Sequence, residues 1–135
     1  MVIGELLSRS VLTIGPASTL REAARAMVAR RVGSAVMLNE EGHPAIITER
    51  DLMRAFAADG DLDALSVEDY MTRDAMTASP SWDIIDAAER MKEAGFRHLI
   101  VMNETGTVAG VLSMRDLVGA LLDRVADPTT TEGSS

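Results

Sequence analysis

Apolar positions along this chain follow two periods, and the pair of periods occurs twice. Leu20, Ala23, Ala24 and Met27 stand at i, i+3, i+4 and i+7, and Ile84, Ala87, Ala88 and Met91 repeat that spacing 64 positions later. Such spacing puts one apolar stripe along a helix. A continuous apolar run follows each stripe, at 35–38 and 99–102, short enough to predict a buried strand. The Asn- and Gly-bounded stretches 39–42 and 103–106 predict turns, leading to second strands at 45–47 and 108–112. Closing helices are expected at 49–58 and 114–125. Ahead of each stripe, extended pieces at 11–14 and 75–78 run into Pro16 and Pro80, and short leading helices are expected near 2–7 and 67–71. The pattern is β-α-β-β-α, twice, an α+β fold.

The two halves are copies. Aligning 3–44 with 67–108, and 45–58 with 110–123 after a one-residue insertion, gives thirteen identical columns of 56. Average residue usage would supply about four. Among them are Arg9/Arg73, Pro16/Pro80, Met27/Met91, Arg50/Arg115 and Asp51/Asp116. A unit of this size alone buries only about 60% of its chain surface and is marginal. The expected organisation is therefore one module of two repeats, 3–58 and 67–125, packed about a pseudo-twofold axis, with 59–66 as linker and 126–135 as a disordered tail.

Composition narrows the chemistry. The 135 residues are 47% apolar but only 3% aromatic, so the core is aliphatic, with methionines such as Met27 and Met91 as filler. The absence of cysteine excludes disulfides, thiol nucleophiles and iron–sulfur clusters. A net charge of −8 argues against a nucleic-acid or anionic-membrane binder, both of which need a basic footprint. Twelve of the thirteen cations are Arg, which suits phosphate or carboxylate recognition, although genome base composition gives the same bias. No run reaches the ~18 apolar residues of a membrane span, and residues 1–10 lack the apolar stretch of a signal peptide. A soluble cytoplasmic protein is expected.

The catalytic inventory is thin. His43 and His98 stand in no metal-ligand spacing, and no nucleophile elbow, phosphate loop or dinucleotide fingerprint occurs. No enzyme activity or metal is expected. What remains is a doubled element where each second strand meets its closing helix: Thr48-Glu-Arg-Asp51 and Ser113-Met-Arg-Asp116. Helix N-termini attract phosphate, a hydroxyl can contact phosphate oxygens, and a carboxylate can accept from ribose hydroxyls. Arg50, Arg115, Arg97 and His98 could supply countercharge. The same [Ser/Thr]-x-x-[Asp/Glu] pattern is also the capping box of a helix start, and Thr19–Glu22 and Ser66–Asp69 show it with no ligand implied.

In these residues the chain resembles the cystathionine-β-synthase (CBS) domain family, as a tandem pair called a Bateman module. The resemblance is carried by Val32-Gly-Ser-Ala-Val36 ahead of Ile46-Ile-Thr-Glu-Arg-Asp-Leu52, and by Phe96-Arg-His-Leu-Ile100 ahead of Gly110-Val-Leu-Ser-Met-Arg-Asp-Leu117, and covers about residues 3–125. It implies a cleft between the repeats that binds an adenosine-containing ligand: AMP, ADP or ATP first, with S-adenosylmethionine, NAD(H) or a cyclic dinucleotide in other members. The family motif Gly-h-x-[Ser/Thr]-x-x-[Asp/Asn], with h apolar, maps onto Ser113 and Asp116 with the leading Gly110. It maps onto Thr48 and Asp51 with a departure, because Ala45 replaces the Gly and the turn reads as one residue shorter. By the same resemblance, backbone groups near Thr13, Ser34 and Ala35, and near Thr77 and Leu99, resemble adenine-binding edges, while Arg97 and His98 look like a phosphate-facing pair. Gly33-Ser34 carries no such charge, so unequal sites are implied. A regulatory sensor signalling to an unknown protein target follows, as a homodimer formed through its helices. The alternative is a ligand-free scaffold of the same shape.

Overall fold

The computed structural model describes residues 1–7, 11–38 and 42–126. The tail expected beyond 126 and the turn at 39–41 lie outside the described residues. The chain forms two compact units, one of Arg9–Ala75 and one of Met1–Ser8 with Met76–Ser135.

In the first unit, α1 (Leu20–Arg30) opens on a capping box. Thr19 Oγ1 accepts from the Glu22 amide, and Glu22 Oε1 accepts from the Thr19 amide, both at 3.1 Å. The helix stops at Arg31, which takes the left-handed conformation with φ 56°. β1 (Ser34–Leu38) and β2 (Pro44–Thr48) pair antiparallel, with Ser34 opposite Thr48, and α2 (Glu49–Ala57) follows directly. The expected extended piece at 11–14 is reduced to a single parallel bridge, Thr13 to Val36. In the second unit, β3 (Thr77–Ala78) lies parallel to β4 (His98–Met102), which pairs antiparallel with β5 (Val108–Ser113). α3 (Ile84–Ala94) starts on Asp83, whose Oδ2 accepts from the amides of Ile85 and Asp86, and ends on left-handed Gly95. α4 (Met114–Ala126) closes the chain. Leu20, Ala23 and Met27 on α1, and Ile84, Ala87 and Met91 on α3, are buried as the stripes require.

The inserted residue has a definite place. Leu38 pairs with Pro44 and Met102 with Val108, so the two turns span equal lengths. The extra residue is Ala109, taken up as a β-bulge where the register shifts between Val101 and Met102. The turn of the first repeat is therefore not shorter, as its sequence suggested. A bulge absorbs one residue and leaves the pairing beyond it in register, so His98 faces Ser113 as Ser34 faces Thr48.

Each unit draws its leading segment from the other repeat. The 3-10 helix Val67–Asp69 at the head of the second repeat lies in the first unit, where the Val67 amide donates to the Ser18 carbonyl at 2.8 Å. Ile46 and Thr72 exchange amide–carbonyl bonds at 3.1 and 2.8 Å. The 3-10 helix Ile3–Leu6 lies in the second unit, where the Ile3 amide donates to the Trp82 carbonyl and the Gly4 amide to Pro80, both at 2.9 Å. The side chains follow. Val67 is buried in a cluster with Leu20, Met27 and Ile47, and Ile3 in one with Ile84, Met91 and Leu112. Residues 59–66, expected as linker, also bond within the first unit, since the Leu20 amide donates to Leu65 and the Arg21 amide to Leu62. The exposed Arg21–Asp63 hydrogen bond, at 2.5 Å, raises the guanidinium pKa above its ordinary value.

Candidate functional site

In the second unit, strand pairing gathers candidates spread from Thr77 to Asp116 in sequence. Thr77 pairs with Ile100, His98 with Ser113 and Leu99 with Leu112. The Met114 amide donates to the Arg97 carbonyl at 2.8 Å, which pins the start of α4 to the start of β4. Thr77, Arg97, His98, Leu99, Ser113, Arg115 and Asp116 thus share one end of the sheet. Leu99 is fully buried, so only its backbone could meet a ligand. Arg97, Arg115, Asp116 and Thr77 are exposed, and His98 and Ser113 half-buried.

Hydrogen bonding at this helix start is reciprocal. The Ser113 amide donates to Asp116 Oδ2 at 2.7 Å, and the Asp116 amide donates to Ser113 Oγ at 3.0 Å. Since Ser113 Oγ is an acceptor here, its own proton remains available to an acceptor such as a phosphate oxygen. Asp116 Oδ1 has no hydrogen-bond donor among the described residues.

The first unit repeats the placement and the capping box, and adds two donors to its carboxylate. Val36 bonds Leu12 and Ile14, so Thr13 between them turns its own N–H and C=O to the opposite edge. Ser34 faces Thr48, Ala35 faces Ile47, and the Glu49 amide donates to the Gly33 carbonyl at 3.0 Å, as Met114 does to Arg97. Asp51, however, is the one charged residue buried among those described, at 6% exposure. Its Oδ2 accepts from both the Thr48 amide (2.8 Å) and the Thr48 hydroxyl (3.1 Å). Its Oδ1 accepts from Arg54 Nη2 at 2.6 Å. Arg50 points to solvent. Buried carboxylates persist when paired and hydrogen-bonded in this way.

Sequence reading missed Arg54. Its signal was the i, i+3 spacing from Asp51, against Gly119 at the matching place after Asp116. Gly110 also acquires a structural reason: a Cβ there would meet Leu7 Cδ2 at 2.7 Å. The matching Ala45 is buried in a cluster against which Met71, the counterpart of Leu7, packs, and an unbranched Met adapts to a Cβ more easily than Leu does. Among the described residues no group of acidic or His side chains could hold a metal, and no helix is long and apolar enough to cross a membrane.

Comparison with known proteins agrees with this architecture. The CBS domain family model matches residues 3–58 and 67–123. An uncharacterized 17.7 kDa protein of Acidianus ambivalens is 36% identical over 122 residues, 90% of this chain and 73% of its own length. Among solved structures, a CBS domain protein of Pyrobaculum aerophilum complexed with AMP is 32% identical. The likeness covers 94% of this chain and all of that one, with a TM-score of 0.78. A CBS-domain containing protein of Agrobacterium tumefaciens is 33% identical, covering 89% and 98%, with a TM-score of 0.76. Two family matches in tandem, on two units that share the helix-strand-strand-helix order, make this chain a member of the CBS domain family, with a pair of CBS repeats.

Proposed function

We propose that this chain is a regulatory ligand-binding module, taking an adenosine-containing nucleotide, AMP, ADP or ATP. The observation that carries the reading is the start of α4. There Ser113 retains a hydroxyl proton, Asp116 retains an open carboxylate oxygen, and Arg97 and Arg115 stand exposed beside them. Ser113 would contact phosphate, Asp116 the ribose hydroxyls, and the backbone near Thr77 and Leu99 the adenine. The AMP complex of the Pyrobaculum aerophilum protein, similar along its whole length, supports this choice of ligand.

Binding signals to a protein partner only if the nucleotide prefers one of two arrangements of the module. Self-association through helices fits the exposed apolar faces: Met53 and Phe56 on α2, and Val118, Leu122 and Val125 on α4, the last at 79% exposure. The stripe on α4 runs i, i+4, i+7, one continuous face suited to a twofold partner. A homodimer acting in the cytoplasm as a sensor, without catalysis of its own, is the resulting picture. One observation favours the scaffold reading: the Ser113–Asp116 bonds cap α4 with no ligand.

A thermal-shift panel of AMP, ADP, ATP, NADH, S-adenosylmethionine and cyclic dinucleotides, with GTP as control, separates the two. A shift with an adenine ligand that disappears in Asp116→Ala supports the sensor. A flat panel at millimolar ligand supports the scaffold.

A further inference from the structure

The two Ser/Thr-x-x-Asp elements are equivalent in sequence but not in hydrogen bonding. At α4 the carboxylate spends one oxygen on the Ser113 amide, and the serine oxygen accepts from the Asp116 amide. At α2 the carboxylate collects three donors. The Thr48 hydroxyl is spent as one of them, and Arg54 takes the oxygen that Asp116 leaves open. The third donor follows from one position, Arg54 in the first repeat and Gly119 in the second. Glycine has no side chain to reach back, whereas a residue three positions along a helix lies beside its partner. A neighbouring position differs in charge. Glu49 lies over Gly33, so close that a Cβ on Gly33 would collide with its carboxylate. The matching pair in the second repeat is Met114 and Arg97. Where the second element presents a guanidinium, the first presents a carboxylate, which repels a phosphate.

We infer that Arg54 and Glu49 hold the Thr48–Asp51 element closed to nucleotide, so that each chain accepts one nucleotide phosphate and ribose, at Ser113–Asp116. Arg54 is a positioning residue: it acts through Asp51 by occupying the oxygen a ribose hydroxyl would need. Glu49 acts by charge on the phosphate. This rests on the nucleotide-binding reading above and goes beyond it by assigning the inequality of the repeats to two named side chains.

The test is calorimetric titration of the full chain with AMP. Wild type is expected to bind one AMP per chain, and Asp116→Ala none. Adding Glu49→Met and Arg54→Ala to Asp116→Ala is expected to restore binding, with at least tenfold higher affinity than Asp116→Ala alone. Glu49→Met with Arg54→Lys, which returns a cation to Asp51, is expected to stay closed. A merely structural role for Arg54 would not separate the Ala and Lys variants. Amide shifts of wild type on AMP addition give a second reading without mutation: Ser113 is expected to move and Thr48 to stay. Two AMP per wild-type chain, a Thr48 shift equal to that of Ser113, or no gain in the triple variant overturns the closed first element and leaves nucleotide binding standing. No binding by any of these proteins overturns both.

Discussion

The amide of Val67 donates to the carbonyl of Ser18 at 2.8 Å, fastening the first residue of the second repeat to the entrance of α1 in the first. Its counterpart, Ile3 to Trp82 at 2.9 Å, does the reverse. With Ile3 and Val67 buried in the core of the opposite repeat, the sequence boundaries of the repeats are not their folding boundaries.

Residues 9–75 are therefore expected to fold as a fragment, because Val67 and Thr72 remain present. Residues 1–66 are expected not to fold, having lost both. Urea denaturation followed by circular dichroism checks this: a cooperative transition in the shorter-headed fragment and none in the other. In the full chain, Ile3→Ala is expected to cost about 2–5 kcal/mol, the usual range for emptying a buried Ile site.

Gly110→Ala is expected to destabilise the protein by about 1–3 kcal/mol, because the new Cβ meets Leu7 Cδ2 at 2.7 Å. Leu7→Ala in the same chain is expected to return part of that loss. Equal denaturation midpoints for Gly110→Ala with and without Leu7→Ala would contradict the contact.

Ser113→Ala removes an acceptor at a helix start and is expected to cost about 1 kcal/mol in the absence of ligand. Asp116→Ala removes the carboxylate that accepts from the Ser113 amide and is likewise expected to cost about 1 kcal/mol, so its response to nucleotide is read against its own ligand-free melting temperature. Thermal unfolding of both variants, without nucleotide, distinguishes the capping from the binding contribution.

Much of this was legible in the sequence. Helical stripes, strands and closing helices come from apolar periodicity and the duplication from identical columns, and the structure places α1 to α4 and β1 to β5 on them. The exchange of leading segments was not legible, because Ile3 and Val67 are equivalent columns of a repeat. Pattern alone reads the same whether each joins its own core or its neighbour's. The insertion was visible as a gap, yet only pairing places it at Ala109 rather than in the turn. Both Ser/Thr-x-x-Asp elements were visible too. The donors that each carboxylate collects depend on the distance to the hydroxyl and on Arg54, neither of which a motif records.

The exposed α4 stripe leads to an expectation about assembly. The 14.4 kDa chain is expected to sediment as a dimer, and Leu122→Glu, which places a charge at the centre of that stripe, to shift it toward monomer. Sedimentation equilibrium reads the mass directly, and a wild-type monomer at tens of micromolar would contradict the assembly.

The central claim, nucleotide binding at Ser113–Asp116, is met most directly by measuring the melting temperature of wild type and Asp116→Ala with AMP. At a hundredfold excess over Kd, ligand adds about 2.7 kcal/mol of stability, a rise on the order of 10 °C for a chain of this size. The expected result is that rise in wild type and its loss in Asp116→Ala. An equal rise in both proteins, or none in wild type at millimolar AMP, would contradict the claim.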